Sequence, residues 1–394
     1  MTIMRITLNF KFGLLALLGG CAPDLIVVSE DPSDSPLANL PPALQKQFDD
    51  GDALFEQRYF ASQGLGPLYI RTSCVACHAD DGKGPGFVNK MVVLDDDGVS
   101  IEAALPFGHT VRPFRAAGAL TGITAPDTDG LVVSTRIGPP VHGRGFLEAV
   151  RDDEIERVAT EQAAAGEVSG RINRVVYASE RNAEALVPHE PGDLVIGRFG
   201  LKARVASLDD FTADALQGDM GLTSPMRPLE LPNPDGLEDD ERAGIDIDLD
   251  DVNAIAVYTR LLDIPNRDPS VDATELFAGT GCAACHVPTL RTRADHPVEA
   301  FADIDAPVFT DMLLHDMGEA LADGIVDGDA TGSEWRTAPL IGLRFMPGYL
   351  HDGRADTVDD AIRLHAGEAS ASAARYAALD DDARALLLSF VESL

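Results

Sequence analysis

Two five-residue stretches stand out for the chemistry their residue types and spacing allow: Cys74-Val75-Ala76-Cys77-His78 and Cys282-Ala283-Ala284-Cys285-His286. Two thiols separated by two residues can add to the two vinyl groups of one haem, and the histidine that follows is then placed beneath the iron as its proximal ligand. Covalent attachment also holds the cofactor without a large enclosing core. A redox disulfide pair needs no adjacent histidine, and a zinc site usually gathers four ligands from both pairs. The repetition, with a histidine after each pair, favours two covalently bound haem c groups ligated by His78 and His286. Of the five cysteines only Cys21 lies outside these motifs.

The elements that must position these residues are legible in part. Asp272-Ala273-Thr274-Glu275-Leu276-Phe277 has helical character and runs into Gly279-Thr280-Gly281, a break just ahead of the second motif. A weaker echo, Asp52-Ala53-Leu54-Phe55, precedes the first. Residues 380–394 begin with acidic residues suited to a helix N-terminus and carry Leu386, Leu387, Phe390, Val391 and Leu394 on an apolar stripe. Pro265, Asn266 and Pro269 interrupt the helical pattern of residues 252–262 and mark a domain boundary. The expected fold is mainly α, with two cytochrome c-like haem domains. Residues 48–265 form the N-terminal one, enlarged by long loops and insertions, and residues 266–394 the C-terminal one.

The N-terminus reads as an export signal. Arg5 and Lys11 precede a short apolar run, residues 12–18, which is too short to span a membrane, and Leu18-Gly19-Gly20-Cys21 resembles a bacterial lipoprotein box. Residues 1–20 are then a lipoprotein signal peptide, Cys21 the lipidation site, and residues 21–47, rich in Pro, Ser and Asp, a flexible tether. The expected location is periplasm-facing, on the outer membrane through the lipid anchor. With 394 residues, 45% hydrophobic and 24% charged, the chain can build two cores. Its net charge of -34 disfavours nucleic acid as a partner and allows a basic redox protein.

Outside the haem motifs, an ordered set of stretches resembles the di-haem oxidoreductase family. They are Gly64-Leu65-Gly66-Pro67-Leu68, Gly145-Phe146-Leu147-Glu148-Ala149, Ser169-Gly170-Arg171-Ile172-Asn173-Arg174, Gly197-Arg198-Phe199-Gly200 and Gly218-Asp219-Met220-Gly221. Leu314-His315-Asp316-Met317-Gly318, Glu334-Trp335-Arg336-Thr337 and Tyr349-Leu350-His351-Asp352-Gly353-Arg354 continue the series. The family is similar to bacterial di-haem cytochrome c peroxidases. That resemblance implies an electron-entry haem in the C-terminal domain with two axial ligands, and an N-terminal peroxidatic haem with an open position.

The resemblance also implies candidates for the remaining ligands. His365, in His365-Ala366-Gly367-Glu368, occupies the helix position that holds methionine in many di-haem peroxidases, and Met317 is its rival as metal ligand. Glu148, after Gly143-Arg144-Gly145, is the candidate catalytic acid-base group over the N-terminal haem, although a carboxylate near a helix start is as often a dipole partner. His142 and His109 compete for the sixth position there; His189 and His296 read as exposed. His351 fits a propionate contact or a loop-orienting role better than iron ligation, and Trp335 is either a hole relay between haems or packing. Acidic residues 238–251 and the turn Asp327-Gly328-Asp329 make calcium the second cofactor to consider, though neither follows an EF-hand pattern and a solvated surface explains them better.

The function expected from all this is an exported di-haem c-type oxidoreductase of the peroxidase type. A small redox protein donates electrons at the C-terminal haem, and hydrogen peroxide or another small oxidant is reduced at the N-terminal haem. A di-haem electron carrier without turnover, or a haem-based redox or gas sensor, would need no ligand-consuming site.

Overall fold

The computed structural model describes residues 35–79, 86–116, 118–239 and 241–394. The signal segment and Cys21 lie outside these residues. Among them, nine helices are α1 Pro42–Glu56, α2 Arg144–Ala149, α3 Asp152–Ala165, α4 Leu208–Ala215, α5 Leu249–Leu261, α6 Thr274–Thr280, α7 Val358–Arg363, α8 Ser370–Ala377 and α9 Asp381–Ser393. Several begin as their sequences dictate. Ser207, Asp248, Thr357 and Asp380 each cap a helix, accepting a hydrogen bond from the backbone N–H three residues on, with acidic residues in the first turn that follows.

The chain is not mainly α, which corrects the expected fold class: of the described residues only 33% are in helices and 15% in strands. The strands form five antiparallel pairs among the described residues. The largest joins β2 (Phe87–Val93) to β4 (Leu131–Ile137), from Phe87 opposite Ile137 to Val93 opposite Leu131. Its sequences, Phe-Val-Asn-Lys-Met-Val-Val and Leu-Val-Val-Ser-Thr-Arg-Ile, are rich in the β-branched residues that favour a pleated ribbon. Read as insertion loops, they instead bury Met91 and Val93 over Leu68, Leu105 and Ile123. The short pairs are β1 (Leu68–Tyr69) with β3 (Phe114–Arg115), β5 (Arg174–Val176) with β6 (Leu194–Ile196), β7 (Leu290–Arg291) with β8 (Asp305–Ala306), and β9 (Leu314–Asp316) with β10 (Glu334–Arg336).

Two cores hold the haem motifs. In the larger, α1 lies on α5: Phe48 and Phe55 pack on Tyr258 with ring centroids 4.9 and 5.1 Å apart. Gly51 permits that approach, since a Cβ there would sit 2.1 Å from the Ala254 carbonyl oxygen. This core also takes in Leu290, Phe301, Val308 and Leu313, so it reaches past the proline-marked boundary near residue 265. The smaller core gathers Phe277 of α6, Phe309 and Phe390 of α9 edge to face; burying each such ring contributes roughly 1.5–3 kcal/mol. The expected tether is folded over its last part, where Leu37 N–H donates to the Leu261 carbonyl and α1 starts at Pro42. No helix among the described residues is long and apolar enough to cross a membrane.

Candidate haem sites

The two motifs fold alike. The N–H groups of Cys77 and His78 both donate to the Cys74 carbonyl, and those of Cys285 and His286 to the Cys282 carbonyl, so each motif is one tight turn. Gly281, in the left-handed region at φ +89°, ends α6 and turns the chain into the second motif. Burial pushes the Cys74 thiol up to about 12 and the Cys77 and Cys282 thiols up to about 11. Neutral thiols of this kind are poor in disulfide exchange, which needs the thiolate.

Each motif faces a cavity. The one at Cys282, Cys285 and His286 measures about 270 Å³ and has His365, Met317, Trp335 and His351 in its lining. His286 and His365 face one another, ring centroids 6.5 Å apart. Each imidazole donates from Nδ1 to a carbonyl, His286 to Phe309 at 3.2 Å and His365 to Ala361 at 2.7 Å. That bond fixes the tautomer and leaves each Nε2 lone pair for a metal. Burial lowers both pKa values, His286 to about 4, so both rings are neutral ligands. Two metal–nitrogen bonds of about 2 Å, with half a ring on either side, add to roughly the observed separation. The donor set therefore fits an iron held between two imidazoles. Met317 shares the lining but has no facing ring of this kind.

His315 is not available as a ligand. Its Nε2 donates to Asp311 and its Nδ1 to Glu368, both at 2.8 Å. Burial opposes its charge, but Asp311 and the Cys285 sulfur together outweigh this and the pKa rises to about 11. Glu368 also accepts from Ser169 N–H and Oγ, tying the segment just after His365 to the loop after α3. From α3 itself, Gln162 donates to the Ala284 carbonyl within the motif. Cys285, Asp311 and His315 lie close enough to suggest a metal cluster, yet the doubly bonded imidazolium argues against one.

The cavity at Cys74, Cys77 and His78 is smaller, about 90 Å³, and apolar along α4 through Leu208, Phe211 and Ala215. A π-type turn, Leu216–Met220, widens the end of α4 and brings Asp219 and Met220 to the wall. His78 is the single histidine of this lining. Glu148, the expected acid-base group, is elsewhere: it is buried in an ion pair with Arg260 at 2.5 Å and accepts from Leu208 N–H at 2.8 Å. Burial alone would raise its pKa, but Arg260 holds it ionised below the usual range. The carboxyl that does line the cavity is Asp219, pushed up to about 6 by burial. Sequence reasoning included Asp219 in a family-like stretch and gave it no role; its place on the cavity wall is what marks it.

The other histidines are also placed. His109 bridges Glu102 and the Met91 carbonyl away from both cavities. His142 is 1% exposed and lines neither cavity. His296 is buried against Phe301, not exposed as expected, and His189 packs on Tyr177. His351 stacks on Trp335 at 3.9 Å and 14°. As for calcium, Asp327 is committed to Arg136, and Asp246 accepts from Thr223 through Oδ2 only.

The family model described as "Di-haem oxidoreductase, putative peroxidase" matches residues 125–394. The chain belongs to this family. Its cofactors are haems and its activity is that of a di-haem oxidoreductase. The matched residues include the second motif and both cavity-lining segments of α4 and α7, while the first motif precedes them. Among solved structures, this di-haem oxidoreductase is similar to hydrazine synthase from Kuenenia stuttgartiensis, at 15% identity over all of both chains and a TM-score of 0.38. It is also similar to the diheme peroxidase BthA from Burkholderia thailandensis, at 14% identity over 82% of this chain and 70% of that one, with a TM-score of 0.33. No curated protein matches the chain.

Proposed function

We propose that the protein is an exported c-type di-haem peroxidase, with one haem bound through Cys74 and Cys77 above His78 and the other through Cys282 and Cys285 above His286. The observation that carries this is an asymmetry. His286 has an imidazole facing it across 6.5 Å, whereas the lining around His78 offers no second histidine but has a carboxyl. The bound haems would supply one-electron transfer, with electrons from a small redox protein entering at the C-terminal haem and the oxidant reduced at the N-terminal one.

The chain's own part is to hold, exclude and move protons. Reduction of hydrogen peroxide to two waters consumes two electrons and two protons, so the site needs a group that exchanges protons near neutrality. Asp219, raised to about 6 on a cavity wall, meets that need. Leu208, Phe211 and Leu216 keep the cavity apolar and its contents desolvated. Cys21, lipidated after removal of residues 1–20, would anchor the protein at a periplasm-facing membrane.

Electron paramagnetic resonance of the oxidised and half-reduced protein, with a peroxide-consumption assay, tests this reading. One ligand-accessible iron with turnover is the expected result. Met220 also lines the first cavity, and its thioether on that iron would make the protein an electron carrier. Two low-spin irons in both states without turnover would establish that second reading and overturn the first.

A further inference from the structure

Pro139, Pro140, Arg144 and Arg336 line both cavities and form the wall they share. Arg144 is 6% exposed and Arg336 7%. Arg136 and Arg198 are buried to the same degree, and each pairs with a carboxylate. Arg144 and Arg336 do not. Arg144 donates from Nε to the Pro140 carbonyl at 2.6 Å, and Arg336 donates from Nε to Gly200 and from Nη1 to Thr337, all backbone oxygens. Both terminal nitrogens of Arg144 and Nη2 of Arg336 are left without a hydrogen-bond acceptor among the described residues.

A guanidinium keeps its charge in proteins, and burying one without an anion is costly; burying two in one wall, where they repel, is more so. Burial drives Arg144 down to about 9, with Arg336 repelling it, and Arg336 down to about 10. Asp311 favours the charge of Arg336 but is itself bonded to His315 and Gln162. The wall is thus a positive, donor-rich site open on two sides and lacking its anion. A carboxylate matches a guanidinium in shape as well as charge, through two parallel hydrogen bonds. Haem bears two carboxylates on the edge remote from its vinyl groups, and a haem belongs on either side of this wall.

We propose that Arg144 and Arg336 are a shared anchor for the propionates of both haems, so that the two cofactors meet at one guanidinium pair. This rests on the reading of two attached haems. Because the anchor is shared, its charge acts on both irons: removing it stabilises the more positive oxidised state at each and lowers both midpoint potentials.

The experiment uses the full holoprotein. Mass spectrometry of the wild type first counts the haems, then spectroelectrochemical titration follows both in Arg144→Gln, Arg336→Gln, Arg144→Lys and Arg336→Lys. Either glutamine variant should lower both midpoints, each by at least a tenfold change in the oxidised-to-reduced ratio at fixed potential, about 59 mV for a one-electron centre. The lysine variants keep the charge but lose the two-pronged contact, and should move both midpoints by less. If a glutamine variant fails to retain haem, its lysine counterpart is read in its place. A wild type without two haem masses overturns the reading underneath. Two haems with one midpoint shifted, or neither, overturn the shared anchor alone.

Discussion

His286 and His365 hold their imidazoles 6.5 Å apart, each steered by an Nδ1 hydrogen bond to a carbonyl on its own side of the cavity, Phe309 for one and Ala361 for the other. Neither ring is free to turn, so the gap between the two Nε2 atoms is preset for one metal. Replacing His365 by Met should keep that iron six-coordinate and raise its midpoint potential, since a thioether favours the reduced state more than imidazole does. His365→Ala should give a high-spin signal that added imidazole returns to low-spin. Redox titration and electron paramagnetic resonance check both, and an unchanged low-spin signal in the alanine variant would assign the ligand to Met317.

Asp219 should be the proton carrier at the other cavity. Asp219→Asn removes the exchangeable proton with little change of shape, and peroxide turnover should fall about 10²–10⁴-fold while both haems are retained. In the wild type, turnover should rise with pH through about 6 as the carboxyl ionises, and the variant should lack that limb. The stability sign is set by the same shift. A carboxyl whose pKa is raised on folding contributes stability below the ordinary carboxylate range and loses it as pH rises through about 6. The asparagine variant should therefore gain on the wild type in thermal melts as pH rises from about 4 to about 6, and hold that gain at higher pH. A variant with full turnover would remove Asp219 from the chemistry.

The contrast between Asp219 and Glu148 shows what a sequence can reveal here. The Cys-x-x-Cys-His motifs can be read from sequence because the chemistry proposed for them is local: five consecutive residues would supply both thiols and the ligand. Helices α5, α6 and α9 are legible for the same reason, through apolar spacing, turn-ending glycines and capping aspartates. Glu148 was misread because its partner Arg260 is 112 residues away, and nothing near it shows that the carboxylate is already paired. Asp219 and the Arg144–Arg336 wall were illegible because their meaning lies in where the fold puts them, on the walls of cavities, and one acid among 65 acidic residues carries no mark of it. The β2–β4 ribbon was missed since its strands are separated by a long connection that reads as loop, although their β-branched runs were in plain sight.

The carboxylate clamp on His315 should be worth more to the position of His365 than to the chemistry. His315→Leu leaves Asp311 as a buried charge without its cation and takes a partner from the half-buried Glu368, which should cost about 3–5 kcal/mol. The pKa of His315 is raised on folding, so its contribution is complete below the ordinary histidine value and is lost as pH rises towards about 11. Thermal melts of the wild type should accordingly fall from pH 7 to pH 10, and those of the leucine variant should fall less. Glu368→Gln, which weakens the tie between Ser169 and the His365 segment, should add a high-spin fraction at the second haem without removing the haem itself. Equal pH dependence in wild type and leucine variant would count against the clamp.

Trp335 has the surroundings of a packing residue more than of a hole relay. His351 covers one part of its ring system, Lys202 Nζ stands 4.2 Å from a ring centroid, Arg136 5.4 Å, and the indole N–H is spent on the Leu321 carbonyl. Cations over an aromatic face are attracted to its electrons and oppose removal of one. At neutral pH, then, Trp335→Phe should leave electron transfer between the haems within about a factor of ten, a barrier change of about 1.4 kcal/mol. Burial lowers the pKa of Lys202 to about 8, so the opposition weakens as pH rises through that value and the ammonium is lost. A tryptophan radical after peroxide treatment should accordingly appear only above about pH 8, or at neutral pH in Lys202→Met. Rapid-freeze electron paramagnetic resonance reads it directly. A strong radical at pH 7 in the wild type would show that the haems outweigh both cations and that Trp335 does carry the hole.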